Sequence, residues 1–176
     1  MILYSYLIIL QFNQQSKGGI LLQFKDGINV FRYRGVAVAI ENNHVLLHKQ
    51  EKHDYWSLPG GRCEFHETSR ETVVREIEEE LHEKVEAPRL FWFCENFYAT
   101  PNHKYHEIAL YYEIKFNSNS QIMDFSKTYQ GKEIDARLIF KWFPIDQLHK
   151  INVKPEFLVK SLQNIPDHVE HIITRN

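Results

Sequence analysis

Three glutamates, Glu76, Glu79 and Glu80, crowd the run Arg75-Glu76-Ile77-Glu78-Glu79-Glu80. On a helix, residues three and four apart are neighbours, so these carboxylates share one strip of surface. Like charges at that spacing cost a few tenths of a kcal/mol per pair. A Glu-rich helical face is ordinarily a solvated one, and Arg70, Arg75 and Lys84 could offset part of the repulsion. That reading leaves the company of the acids unexplained: the double glycine Gly60-Gly61 upstream and Glu67 near the helix start. A hard divalent cation would join the carboxylates. Mg²⁺ and Mn²⁺ take oxygen ligands and commonly bridge protein carboxylates to phosphates, so the chemistry this pattern points to is phosphate chemistry.

The elements that must position these acids are well marked. Thr68 followed three residues later by Glu71 is a capping box and fixes the helix start. Val73, Val74, Ile77 and Leu81 then recur at helical spacing and form one apolar stripe. Glu76, Glu79, Glu80 and Glu83 fall on the adjoining stripe. One face is therefore anchored in a core while the next carries the acids. Pro59-Gly60-Gly61 breaks regular structure before the helix, which predicts a loop there, and Pro88 closes the unit.

Around this helix the chain reads as strands. Ile20–Phe24 and Ile28–Tyr33 flank the turn pair Asp26-Gly27. Gly35–Ile40 is a continuous small apolar run, suited to a strand buried on both faces, and the turn Glu41-Asn42-Asn43 returns it into His44–His48. Leu90–Tyr98, Ile108–Phe116 and Leu138–Phe143 are rich in aromatic and β-branched residues. Asn117–Gly131 is a polar connection. Pro155–Leu162 reads as a helix with proline in its first turn. Strands on both sides of one central helix, with a second helix near the C-terminal end, predict an α/β fold: a mixed sheet packed between helices.

Gly61-x5-Glu67-x7-Arg75-Glu76-Ile77-x-Glu79-Glu80 resembles the Nudix box, the defining motif of the Nudix hydrolases. The lead-in Trp56-Ser57-Leu58-Pro59-Gly60-Gly61 and the late Trp142-Phe143-Pro144-Ile145-Asp146-Gln147-Leu148 are similar to that family too. The resemblance implies a Nudix-type α/β/α sandwich and Mg²⁺- or Mn²⁺-dependent hydrolysis of a nucleoside diphosphate linked to another group. It implies Glu76, Glu79 and Glu80 as metal ligands, with the backbone carbonyl of Gly60 as a further one. It implies Glu79, Glu80 and Arg75 as catalytic residues, and that Arg75 and Glu67 pair and hold the loop against the helix, a structural role that stands beside direct catalysis as an equal alternative. Two positions depart from the family: His82 stands where the box has glycine, and Glu83 where it has an aliphatic residue. A non-glycine residue in left-handed geometry costs roughly 1–2 kcal/mol. The expectation is therefore a helix that runs on slightly, with Val85 supplying the apolar contact.

Outside the box, many Nudix enzymes recruit a catalytic base; Glu133 is the leading candidate here, ahead of Glu95 and Glu107. Trp56, Tyr98, Phe97 and Tyr105 are candidates to stack on a base or sugar, and Arg62 and Lys104 to meet phosphates. Each of these has an ordinary packing or surface role as its competitor. The histidines show no zinc spacing.

The bulk properties agree. At 176 residues and 25% charged residues, with 43% hydrophobic, the chain suits one soluble domain. A net charge of -2 gives no global pull toward nucleic acid or an anionic membrane. The two cysteines, Cys63 and Cys94, form no metal or disulfide framework, which fits a reducing, cytoplasmic setting. The apolar segment Met1–Phe12 is shorter than the roughly 20 residues of a membrane span and lacks signal-peptide features. Residues 1–19 are thus expected to be an apolar arm (an extra strand, a packed arm or a non-native start), followed by the Nudix domain over 20–176. Homodimers are common in the family, and the arm is a candidate for such an interface. The expected partner is a nucleotide-type small molecule. The alternative functions are a non-catalytic, nucleotide-binding regulatory Nudix domain and a purely structural acidic surface.

Overall fold

The computed structural model describes residues 19–132 and 137–175, so both the arm before Gly19 and Glu133 lie outside the described residues. The Asp26-Gly27 turn joins β1 (Gln23–Asp26) to β2 (Asn29–Glu41), a single strand that absorbs both Ile28–Tyr33 and the small apolar run. Asn42 and Asn43 both take positive φ, 47° and 58°, as a tight right-twisted hairpin demands, and lead into β3 (His44–Gln50). The expected loop at Gly60 is instead a three-residue strand, β4 (Gly60–Arg62), paired antiparallel with β2 at Arg34–Val36. Then follow α1 (Ser69–Leu81), β5 (Val85–Glu86), β6 (Leu90–Ala99) and β7 (Lys104–Phe116). The polar connection holds a short strand, β8 (Thr128–Gln130), and β9 (Leu138–Pro144) comes after it. The C-terminal helix is one turn, α2 (Leu158–Ser161), shorter than expected, and β10 (Glu170–Arg175) closes the described chain.

The strands form one mixed sheet in the order β10-β6-β7-β2-β3-β9-β8, with β1 and β4 also on β2 and β5 on β7. β2 runs parallel to β7 over Asn29–Ala39, and β10 runs parallel to β6. The central strand is buried on both faces, and its side chains alternate between two cores. Ala37 and Ala39 join Leu46, Val73, Ile77 and Leu81 under α1. Val36 and Val38 join Leu47, Trp92, Leu148 and Leu158 on the opposite face, covered by α2 and the short 3₁₀ helix Ile145–Lys150. Each fully buried aliphatic side chain contributes about 1.5–3 kcal/mol. The result is an α/β/α sandwich in which β2 is the common wall.

The apolar stripe seats α1 as expected: Val73 and Ile77 are fully buried. Thr68 caps the helix and Glu71 completes the box, its carboxylate accepting from the Thr68 amide at 2.8 Å. The helix exit differs from expectation. The helix stops at Leu81, and His82 itself takes the left-handed conformation (φ 57°, ψ 32°), its amide donating to the Glu78 carbonyl. Val85 packs against the α1 core, as expected. The strain is tolerable because histidine visits this region more readily than most side chains and His82 is exposed. His82→Gly should relieve it. The relief of about 1–2 kcal/mol exceeds the added unfolded-state entropy of glycine, about 0.4–1 kcal/mol. A net gain of roughly 0.5–1 kcal/mol, seen as a higher midpoint in urea, is the expected result.

Candidate active site

Arg75 sits at the centre of the acids. Its Nε donates to Glu67 Oε1 at 2.7 Å and its Nη2 to Glu67 Oε2 at 3.1 Å, a forked pair. Its Nη1 reaches Glu76 Oε1 at 2.8 Å and Glu79 Oε2 at 3.1 Å. Its Nη2 also donates to the Arg62 carbonyl at 3.2 Å, which ties α1 to the end of β4. Glu67 is further held by the Glu64 amide and the Thr72 hydroxyl. Burial opposes ionisation of Glu67, but these hydrogen bonds and the Arg75 charge overcome it and hold its carboxyl below the ordinary range. Burial raises Glu76 above that range, Arg75 opposes the rise, and neighbouring Glu79 adds to it.

Glu80 differs from its two neighbours. It is only 5% exposed, and its carboxylate turns toward β3, 3.9 Å from His48 Nδ1. Burial and then the Arg34 charge drive the His48 imidazole down to about 3, so it stays neutral and this contact is no ion pair. Two glycines set the floor of the site. Gly60 has φ 138°, a backbone that favours glycine, and its carbonyl accepts from Arg34 Nη2 at 2.9 Å. A Cβ on Gly61 would overlap the Glu76 carboxylate, so the missing side chain is what lets that acid lie against β4.

These groups fit a hard divalent cation by donor type: three carboxylates and a backbone carbonyl, all oxygen, on one helix stripe and the strand beneath it. Among the described residues no three acidic, histidine or cysteine groups converge on a single point. The reason is visible in the contacts. Glu76 and Glu79 are drawn to Arg75, and Glu80 turns to His48, so the arginine supplies the positive charge.

Beside the box lies a cavity of about 410 Å³ on the α2 side of the sheet. Its walls mix aromatic and aliphatic side chains with polar ones, and Tyr98 is among them, stacked on Tyr105 at 4.6 Å. Burial, with the Glu107 charge, pushes the Tyr98 phenol up to about 12. Trp56 is elsewhere: it packs edge-on against Phe143 at 4.7 Å, under Lys49. Arg62 reaches Gln23 Oε1 at 3.2 Å, away from the cavity. Phe97 stacks on His106, and the Glu95 carboxylate accepts from His171 Nε2 at 2.8 Å. Cys63 and Cys94 are buried free thiols, pushed up by burial to about 11 and 12, so neither is a thiolate near neutrality.

Sequence reasoning missed Arg34, Asn96 and His48, and ranked Glu107 low. All four are polar groups set into apolar strands. The signal was parity: Glu107 shares the buried phase of β7 with Ala109 and Tyr111, and Asn96 that of β6 with Cys94.

Fold and site together define an α/β/α domain whose acidic helix, bridged to its loop by an arginine, docks on a glycine strand. The chain belongs to the Nudix hydrolase family: the model of the NUDIX domain matches residues 31–164. It is 37% identical over 73 residues to a Bacillus subtilis (strain 168) protein named "Putative ADP-ribose pyrophosphatase YjhB", a match covering 41% of this chain and 33% of that one. Among solved structures it is similar in fold to a NUDIX hydrolase from Nitrosomonas europaea, at TM-score 0.57 and 16% identity over 93% of this chain and 98% of that one. A MutT protein from Bacillus halodurans matches at TM-score 0.57 and 17% identity, over 82% and 90% of the two chains.

Proposed function

We propose that the protein hydrolyses the diphosphate linkage of a nucleoside diphosphate joined to another group, with Mg²⁺ or Mn²⁺. The observation that carries this reading is the gathering of Glu67, Glu76 and Glu79 on Arg75 against the Gly60-Gly61 strand, beside a nucleoside-sized cavity. Glu76, Glu79, Glu80 and the Gly60 carbonyl would hold the cation. When bound, such an ion neutralises the diphosphate and lowers the pKa of an attacking water. Arg75, forked onto Glu67, fixes the helix against β4 so that the ligands keep their places. Glu133, five residues before β9, is the proposed general base.

ADP-ribose is the first substrate to test, given the description of the Bacillus subtilis relative; nucleotide sugars, dinucleoside polyphosphates and oxidised nucleoside triphosphates follow. The expected result is cleavage of one compound class into two phosphorylated products, dependent on Mg²⁺ or Mn²⁺ and stopped by chelation. Tight nucleotide binding without turnover across that panel, in both metals, would instead favour a regulatory domain. Among the described residues no helix is long and apolar enough to cross a membrane. Two buried free thiols support a reducing, cytoplasmic setting. A homodimer stays our inference for the assembled state, tested by comparing the mass in solution of the full chain with one lacking residues 1–19.

A further inference from the structure

The polar end of the cavity is built, and part of it has no partner. Glu107, 5% exposed, lines the cavity from β7; Asn96, also 5% exposed, lines it from β6. Thr174 of β10 donates its hydroxyl to Asn96 Oδ1, and Asn96 Nδ2 donates to Glu107 Oε1 at 3.3 Å. This chain fixes the amide and presents the second carboxylate oxygen, Oε2, as an acceptor. That oxygen is buried and accepts no hydrogen bond; Arg34 Nη1 stands 3.7 Å away. Arg34 in turn has a buried Nε with no acceptor, while its Nη2 is committed to the Gly60 carbonyl. Two residues that line one wall of the cavity thus each hold a polar atom without a hydrogen bond, an acceptor on Glu107 and a donor on Arg34.

Buried polar groups without partners are uncommon and ask for an explanation. The Arg34 and Glu107 charges offset each other, and Lys154, which also lines the cavity, is paired with Glu156 at 2.6 Å, so the cavity does not select an anion; the diphosphate belongs at the box. The flanking walls, among them Tyr98, Tyr111 and Leu158, suit a flat neutral ring. A ring edge with an amino group next to an acceptor atom complements the wall: the amino group donates to Glu107, and the ring acceptor receives from Arg34. Adenine, cytosine and guanine each carry an exocyclic amino group of this kind. We propose that the cavity is a nucleobase subsite in which Glu107 and Arg34 read an exocyclic amino group and the acceptor beside it. Glu107 is then a specificity-determining residue. The identity of the ligand as a nucleotide rests on the function proposed above.

The test compares matched nucleoside monophosphates by calorimetry in chelator, where neither metal nor turnover is needed. The pairs are AMP against purine riboside 5′-monophosphate, GMP against IMP, and CMP against its 2-pyrimidinone counterpart. In one pair the amino-bearing member should bind about 10–100-fold more tightly, the effect of withdrawing a donor from a buried charged acceptor. Glu107→Gln should erase or invert that preference. Its carbonyl oxygen would face the Asn96 amide, leaving an N–H₂ to meet the ligand amino group. Equal affinities within all three pairs overturn the proposal, as would a preference that survives Glu107→Gln. Failure to bind any of the six compounds at millimolar concentration also overturns it. A protein that discriminates within a pair yet hydrolyses nothing would keep the subsite and lose the hydrolase reading.

Discussion

Glu79→Gln and Glu80→Gln should each lower metal-dependent hydrolysis by about 10²–10³-fold, a loss of roughly 3–4 kcal/mol of transition-state stabilisation. Both should keep the fold. Glutamine preserves volume and hydrogen-bonding reach, and Glu79 is exposed, with 42% of its side chain accessible. Glu80 is the sharper case because its carboxylate is buried. Its hydrogen-bonding reach also survives in glutamine, so stability should move by less than about 1 kcal/mol while activity collapses. Mn²⁺ titration by calorimetry provides the independent readout, and each variant should bind the ion more weakly than the parent. Full activity in both variants would remove these residues from the proposed ligand set. Unchanged Mn²⁺ affinity with lost activity would move them from holding the ion to acting on substrate.

The sequence made the acidic helix legible because every signal there is local. The capping box, the Val73-Ile77-Leu81 stripe and the acid stripe all lie within fifteen residues or so, and one helical period relates them. Where the outcome depended on distant partners, local reasoning failed. Gly60-Gly61 looks like a breaker, yet becomes a strand because β2 offers a free edge where Gly60 lies close against the β2 backbone and Gly61 leaves room for Glu76. β10 was missed because it is an exposed edge strand whose parallel partner is far away in the chain, Glu170 pairing with Trp92 of β6. His82 was expected to prolong the helix; the chain instead accepts left-handed strain there, and Val85 still reaches the core. The cavity was harder still. Arg34, Asn96 and Glu107 meet only through the registers of β2, β7 and β6, which no single segment encodes.

Arg75 carries the second large expectation. Arg75→Ala leaves Glu67 without its forked partner and removes the positive charge shared by Glu76 and Glu79. Breaking a buried pair costs about 3–5 kcal/mol; with 23% of the Arg75 side chain exposed, about 2–3 kcal/mol is the expected loss at neutral pH in chelator. Arg75→Lys should recover only part of it, since one ammonium cannot reproduce the fork. The pH dependence has a definite sign. The folded Glu67 carboxyl titrates below its unfolded value, so its stabilisation is fully present above that value, about 4.3, and fades as pH falls through the folded one. The gap between parent and Arg75→Ala should therefore be widest near neutrality and narrow in acid. Metal gives the discriminating measurement. If a cation and Arg75 neutralise the same acids, Mn²⁺ should raise the melting midpoint of Arg75→Ala more than that of the parent, because the ion binds uncompensated carboxylates in the variant. Equal shifts in both proteins would mean that the arginine and the ion serve separate sets of acids, and the cation would then have to be sought nearer Glu80 and the Gly60 carbonyl.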